Sequence, residues 1–303
     1  MSDNRSRHGI PGLGARLGGM RPPEDCATAP ETIAERSLAL AELAAVVDRL
    51  REPDGCPWDR KQTPESMARY LLEEGHELVE AIEAGDDGES AEEAGDLLMV
   101  VFMICRIAEE AGRFDLASAA RSVKEKLVRR HPHVFGDTEV DGADEVLTNW
   151  EAIKQRERQD KQVDASALAG LPKGLPALQR AERSCEKAAA AGFRWPTPAG
   201  ALAKLDEEHA ELHEALAAAP LDGPDRPRLE GELRERVEHE LGDLLLSTAY
   251  LGHYLRIDPE AALRAALRRF EARFRSMEGD GDGALADSSI EALIARWERA
   301  KRA

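Results

Sequence analysis

A chain of 303 residues is longer than one domain of about 100–200 residues requires, and a formal net charge of −18 gives it a surface that repels nucleic-acid backbones. Hydrophobic residues make up 42% and aromatics only 4%; Ala, Leu, Glu and Arg dominate, which favours helices over strands. The longest apolar run, Leu97 to Cys105, is far short of the ~20 residues of a membrane span, so neither a membrane nor a nucleic-acid polymer is an expected partner.

In chain order, residues 1 to 30 are rich in Gly, Pro and Arg and read as a disordered tail with no secretory apolar stretch. A first helix starts near Glu31, with Thr32 and Glu35 spaced as a capping box, and ends near Pro53. A turn, Gly55-Cys56-Pro57-Trp58-Asp59, precedes a helix from Pro64 to about Ala84. Helices from Ser90 to about Ala111 and from Leu116 to Arg130 follow. His131 to Gly136 reads as a loop, in which His131 caps a helix end and His133 packs; a fifth helix covers about Asp144 to Lys161. Breakers between 163 and 176 mark a linker. Beyond it, helices are expected at Leu178–Ala190, Pro198–Ala219, Leu229–Leu255, Pro259–Met277 and Ser289–Arg302. Cys26, Cys56, Cys105 and Cys185 form no C-x-x-C pair, which suits a reducing cytoplasm and not a zinc site.

The two halves repeat. Glu73-Glu74-x-x-Glu77 matches Glu207-Glu208-x-x-Glu211 at an offset of 134 residues. Glu93-x-x-Asp96 matches Glu240-x-x-Asp243 at an offset of 147, and the change falls on the Pro220–Pro227 loop, where an insertion is cheapest. Trp150 and Lys154 match Trp297 and Lys301 at the same offset; Trp58 has a counterpart in Trp195. The expected organisation is therefore a module over 31–162, the linker, and a second module over 177–303.

Residues three and four apart share a helix face. Glu73, Glu74 and Glu77 project from one helix, and Glu93 and Asp96 from the next. The short connection through Gly85 and Gly88 packs these helices antiparallel, so five carboxylates can converge. Carboxylates that close repel one another, and Mg²⁺, a hard cation taking oxygen ligands, compensates them. A lone E-E-x-x-E is commonly a solvated acidic face; its pairing with E-x-x-D and its repetition turn the reading toward metal. Glu73-x-x-His76 formally fits a di-iron pattern, but the second E-x-x-H is missing. No G-x-x-x-x-G-K-[ST] is present, which excludes a P-loop enzyme.

E-E-x-x-E followed by E-x-x-D resembles the motif of the all-α nucleoside triphosphate pyrophosphohydrolases, and among them the MazG family in its two-module form. The Gly55–Asp59 turn, Arg129-Arg130-His131-Pro132-His133 and Trp150-Glu151-x-x-Lys154 carry the same resemblance. It implies tandem helical bundles, a homodimer, and hydrolysis of NTPs and dNTPs to monophosphate and pyrophosphate with Mg²⁺, for which Mn²⁺ can substitute. Carried over by position, Glu73, Glu74, Glu77, Glu93 and Asp96 would hold metal in the first module, and Glu207, Glu208, Glu211, Glu240 and Asp243 in the second. Glu74 and Glu208 would take the proton of the attacking water. Lys126, Arg130, Arg269 and Arg273 would meet phosphates, and Lys154 and Lys301 add charge. Trp150 and Trp297 either flank the base or pack helices. The rival readings are a nucleotide-binding regulator with one or both modules non-catalytic, and a structural scaffold.

Overall fold

The computed structural model describes residues 30–160, 166–217, 219–220, 228–281 and 283–302; the N-terminal tail and most of the Pro220–Pro227 loop lie outside them. Among the described residues there are helices and turns and no strand. The fold is all-α, in two compact units, residues 1–160 and 161–303, each built round a helical hairpin.

The first unit comprises α1 (Pro30–Arg51), α2 (Pro64–Ala84), α3 (Asp87–Glu110), α4 (Leu116–Arg130), α5 (Pro132–Phe135) and α6 (Ala143–Asp160). Helix α1 begins at Pro30, so Thr32 lies inside the first turn and not at the cap; proline is preorganised for a first helical position. Thr63 and Ser66 form a capping box before Pro64, and Gly85, at φ 74°, closes α2 in a left-handed conformation that glycine adopts without strain. Helix α3 starts at Asp87, three residues before the Ser90 read from the sequence. The Asp86 carboxylate accepts from the amides of Gly88 (2.9 Å) and Glu89 (3.0 Å), and this cap offsets the cost of Gly88 in the first turn.

Helices α2 and α3 pack as an antiparallel pair, with α1 against α3. Their core is Val47, Met67, Val100, Phe102, Met103 and Ile107, with Leu43, Tyr70 and Leu71 against it; Cys105 is also buried. The Arg51 guanidinium, nearly enclosed, grips Glu110 with two hydrogen bonds of 2.9 and 2.7 Å and so ties the end of α1 to the end of α3. The stretch read as a loop at His131–Gly136 contains a one-turn helix, α5, opened by Pro132. His131 does cap α4: its Nδ1 lies 2.6 Å from the Leu127 carbonyl oxygen.

The second unit comprises α7 (Ala177–Ala190), α8 (Pro198–Ala217), α9 (Gly231–Leu255), α10 (Pro259–Glu278) and α11 (Ile290–Ala300). Helices α8 and α9 form its hairpin, and α7 packs on α9. Buried alanines, Ala201 and Ala215 on α8 and Ala249 on α9, let the hairpin backbones approach closely. The Tyr250 hydroxyl accepts from the Trp195 amide (3.0 Å) and the Tyr254 hydroxyl donates to the Trp195 carbonyl (3.2 Å), so α9 holds the turn before α8.

Candidate metal centres

On α2, Glu74 stands seven residues after buried Met67 and seven before buried Ala81. Two turns of helix bring a residue back to nearly the same face, so packing aims Glu74 into the hairpin. Glu93 stands seven before buried Val100 on α3. In the second unit Glu208 lies seven from buried Ala201 and seven from buried Ala215. At each of these places a carboxylate occupies a position that the helix period assigns to the core.

Glu74, Glu77 and Glu93 bring one oxygen each within 4.8 Å of one another, and Glu208, Glu211 and Glu240 do the same. These are the same three positions of the repeat. Two oxygens opposite each other on a Mg²⁺ with ligands at about 2.1 Å stand about 4.2 Å apart, so small side-chain adjustments let either trio hold a divalent cation.

The electrostatics of the first trio agree with this fit. Partial burial, then the charges of Asp96, Glu77 and Glu93, raise the Glu74 carboxyl above its ordinary value. Burial, then Glu77 and Asp96, raise Glu93. Glu211 is raised by burial and by Glu240 and Glu208, with Lys204 opposing. Carboxylates in that condition gain from a cation between them.

The other two carboxylates of each expected set stand differently. Glu73, one residue from Glu74 and so about 100° round the helix, is exposed and pairs with Arg69 at 3.4 Å. Glu207 pairs with Lys204 at 3.0 Å. Asp96 lies close enough to act on Glu74 and Glu93 without joining the closest three. Asp243, 3.5 Å from the His239 ring, lines a cavity of about 320 Å³ together with Glu208, Lys204, Phe193, Trp195 and Tyr250.

The expected phosphate and base residues are placed on later helices. Lys126 is exposed on α4. Arg130 is bound to Glu157 of α6 (2.7 Å), which Arg129 also reaches (2.7 Å); the two guanidinium groups hold the Glu157 carboxyl down at about 2. Lys154 sits over the Trp150 ring at 5.0 Å, and the buried Trp150 Nε1 has no hydrogen-bond partner among the described residues. In the second unit Arg269 is exposed, Arg273 lies 5.9 Å from the Trp297 ring centre, Phe270 flanks that ring at 5.5 Å, and Lys301 pairs with Glu298.

Sequence reasoning missed Lys204. Its Nζ is 2.8 Å from Glu208 and 3.0 Å from Glu207, which holds its ammonium protonated well above the ordinary lysine range. The signal was available, since a lysine four residues before a glutamate shares its helix face. The repeat places Tyr70 at the same point of the first motif.

A family model described as the MazG nucleotide pyrophosphohydrolase domain matches residues 62–135. Over 270 residues the chain is 41% identical to the nucleoside triphosphate pyrophosphohydrolase/pyrophosphatase MazG of Thermotoga maritima, spanning 88% of this chain and 97% of that protein. It is 39% identical over 237 residues to a nucleoside triphosphate pyrophosphohydrolase of Escherichia coli K12, spanning 78% and 86%. The crystal structure of a mazG-related protein from Thermotoga maritima aligns at 28% identity with a TM-score of 0.35, over 38% of this chain and 98% of that one.

Proposed function

Because the chain belongs to the MazG nucleotide pyrophosphohydrolase family, we propose that it hydrolyses NTPs and dNTPs to monophosphate and pyrophosphate with Mg²⁺, as part of cytoplasmic nucleotide housekeeping. The observation that carries this reading is the recurrence of one carboxylate trio at the same repeat positions in both units. Glu74, Glu77 and Glu93 would hold the cation in the first module, with Asp96 beside them; Glu208, Glu211 and Glu240 would do so in the second, with Asp243 beside them. When bound, the cation supplies charge neutralisation for the triphosphate and acidifies water near it. Mn²⁺ has the same oxygen preference and would substitute.

Water attacks one of the two phosphorus atoms joined by the α–β anhydride, that P–O bond breaks, and pyrophosphate leaves. Glu74, raised above its ordinary value by burial and neighbouring carboxylates, is suited to receive the water's proton. Glu208 takes the equivalent role in the second module. Lys126 and Arg269 are exposed cations available to phosphates. Arg130 and Arg273 extend that charge, and Lys154 and Lys301 add to it beside Trp150 and Trp297, which would flank the base.

Product analysis tests the proposal. Wild type, Glu74→Gln, Glu208→Gln and the double variant are given Mg²⁺ and each of the common NTPs and dNTPs. The expected result is monophosphate plus pyrophosphate, abolished in the double variant, with each single variant losing its own module's share. Diphosphate plus orthophosphate would overturn the proposal. Binding without turnover would also overturn it and make the chain a nucleotide-binding regulator.

A further inference from the structure

We propose that the turn at residues 166–169, in the stretch read from the sequence as a linker, forms a wall of the second module's nucleotide site: Leu168 covers the nucleoside end there, and Lys187 is the positioning residue that holds the turn. The inference rests on the reading that the second module binds nucleoside triphosphates, and it adds residues that lie outside the repeated motifs.

The turn is built locally and then fastened. The Ala169 amide donates to the Ser166 carbonyl (3.0 Å), which closes a β-turn, and the Ser166 hydroxyl accepts from the Leu168 amide (3.2 Å). Gly170 follows at φ 78°, a conformation that glycine adopts without strain. Ala169 is buried, and its carbonyl accepts from the Lys187 ammonium of α7 at 3.0 Å. Lys187 is only 8% exposed. A lysine is seldom enclosed unless its charge is met, and here the carbonyl of the turn meets it. The turn and α7 belong to the same compact unit.

Held in this way, Leu168 lines the cavity of about 320 Å³ whose lining also includes Glu208 and Asp243. That volume is at the lower end of the range of small-molecule sites, and an apolar lining with a few polar groups is their usual composition. Leu168 is 46% exposed and Phe193, also of the lining, is 79% exposed. Uncovered apolar side chains beside carboxylates suit a ligand with a flat apolar end and an anionic end that a metal can bridge, and a nucleoside triphosphate has both. Cys185 and Ala188 of α7 belong to the lining, whereas Lys187 between them reaches the turn. Lys187 therefore acts through Leu168. Covering a half-exposed leucine contributes on the order of tenfold in affinity, which is lost when the turn is released.

The test labels position 168 in the full chain. Leu168→Cys is treated with N-ethylmaleimide, with and without Mg²⁺ and the α,β-methylene analogue of ATP, which cannot release pyrophosphate, and the modified peptide is quantified by mass. Labelling at this exposed position should be rapid without nucleotide and at least about fivefold slower with it. Adding Lys187→Met should raise the half-protecting concentration about tenfold, while Lys187→Arg, which keeps a donor for the Ala169 carbonyl, should leave it within about twofold. Circular dichroism checks that each variant keeps its helicity. In a Glu74→Gln background, Lys187→Met and Leu168→Ala should each raise KM at nearly unchanged kcat, the mark of lost uniform binding. Equal labelling with and without a nucleotide that calorimetry shows to bind overturns the proposal and leaves the hydrolase reading standing. So does a half-protecting concentration unchanged by Lys187→Met, or a fall in kcat at unchanged KM in Leu168→Ala. Absence of nucleotide binding overturns both readings.

Discussion

Among the described residues, the side chains of Arg51, Glu208 and Arg296 are nearly enclosed, and each meets an opposite charge. Arg51 meets Glu110, Glu208 meets Lys204, and Arg296 meets Asp280 through two bonds of 3.0 and 2.7 Å. Arg296 is 2% exposed and also donates to the Gly283 carbonyl and the Ser288 hydroxyl, so it fastens α11 to the turn after α10. Replacing it with methionine removes two bonds from Asp280, which keeps one from Arg299, and takes their donor from three other acceptors, the Met277 and Gly283 carbonyls and the Ser288 hydroxyl. Arg296→Met should therefore destabilise the second unit by on the order of 3 kcal/mol, read as a lower urea midpoint for the loss of helicity. An unchanged midpoint would mean that the bonds to Arg296 contribute nothing net. The first trio lacks such compensation: burial and neighbouring carboxylates keep Glu74 and Glu93 raised.

Among the elements, the pairing of α4 with α6 has a pH dependence. Glu157 on α6 is held near 2 against an ordinary 4.5, first by its hydrogen bond from Arg130 and then by Arg129. A carboxyl with a lowered folded value binds fewer protons folded than unfolded. Its contribution is therefore complete above about pH 4.5 and is lost as pH falls toward about 2. The urea midpoint of wild type should fall more steeply across that window than that of Glu157→Gln; equal slopes would remove the pair from the acid response. The same element contact bears on function, since it fixes Arg130 to α6 and leaves Lys126 as the more accessible cation of α4. It also places Trp150, whose indole N–H has no hydrogen-bond partner among the described residues, beside His131 at the end of α4.

For the molecule as a whole, the repeat leaves matched apolar residues uncovered. Leu98 on α3 and its counterpart Leu245 on α9 are 41% and 50% exposed. Each has an exposed apolar neighbour on its own helix face, Val101 three residues on and Leu241 four residues before. Exposed apolar groups at matched positions suit burial against a second copy, and we propose the homodimer expected from the sequence on that ground. Light scattering should give twice the chain mass of 33.2 kDa for wild type and a shift toward one chain mass for the Leu98→Lys, Leu245→Lys variant. A monomeric wild type would refute it.

The sequence by itself determined the all-α class, the duplication and which glutamates recur, because these depend on local properties: the 3.6-residue period, capping chemistry and repeated order. Helix ends followed to within a few residues, except where Asp86 capped α3 early and where Pro132 started a turn of helix inside an expected loop. Only the tertiary structure decided which carboxylates meet. Five were legible per module, but a rotation of about 100° per residue separates Glu74 from Glu73, and only packing against α3 selects between them. Packing likewise decided that Arg130 is bound to Glu157, since that pair joins two different helices.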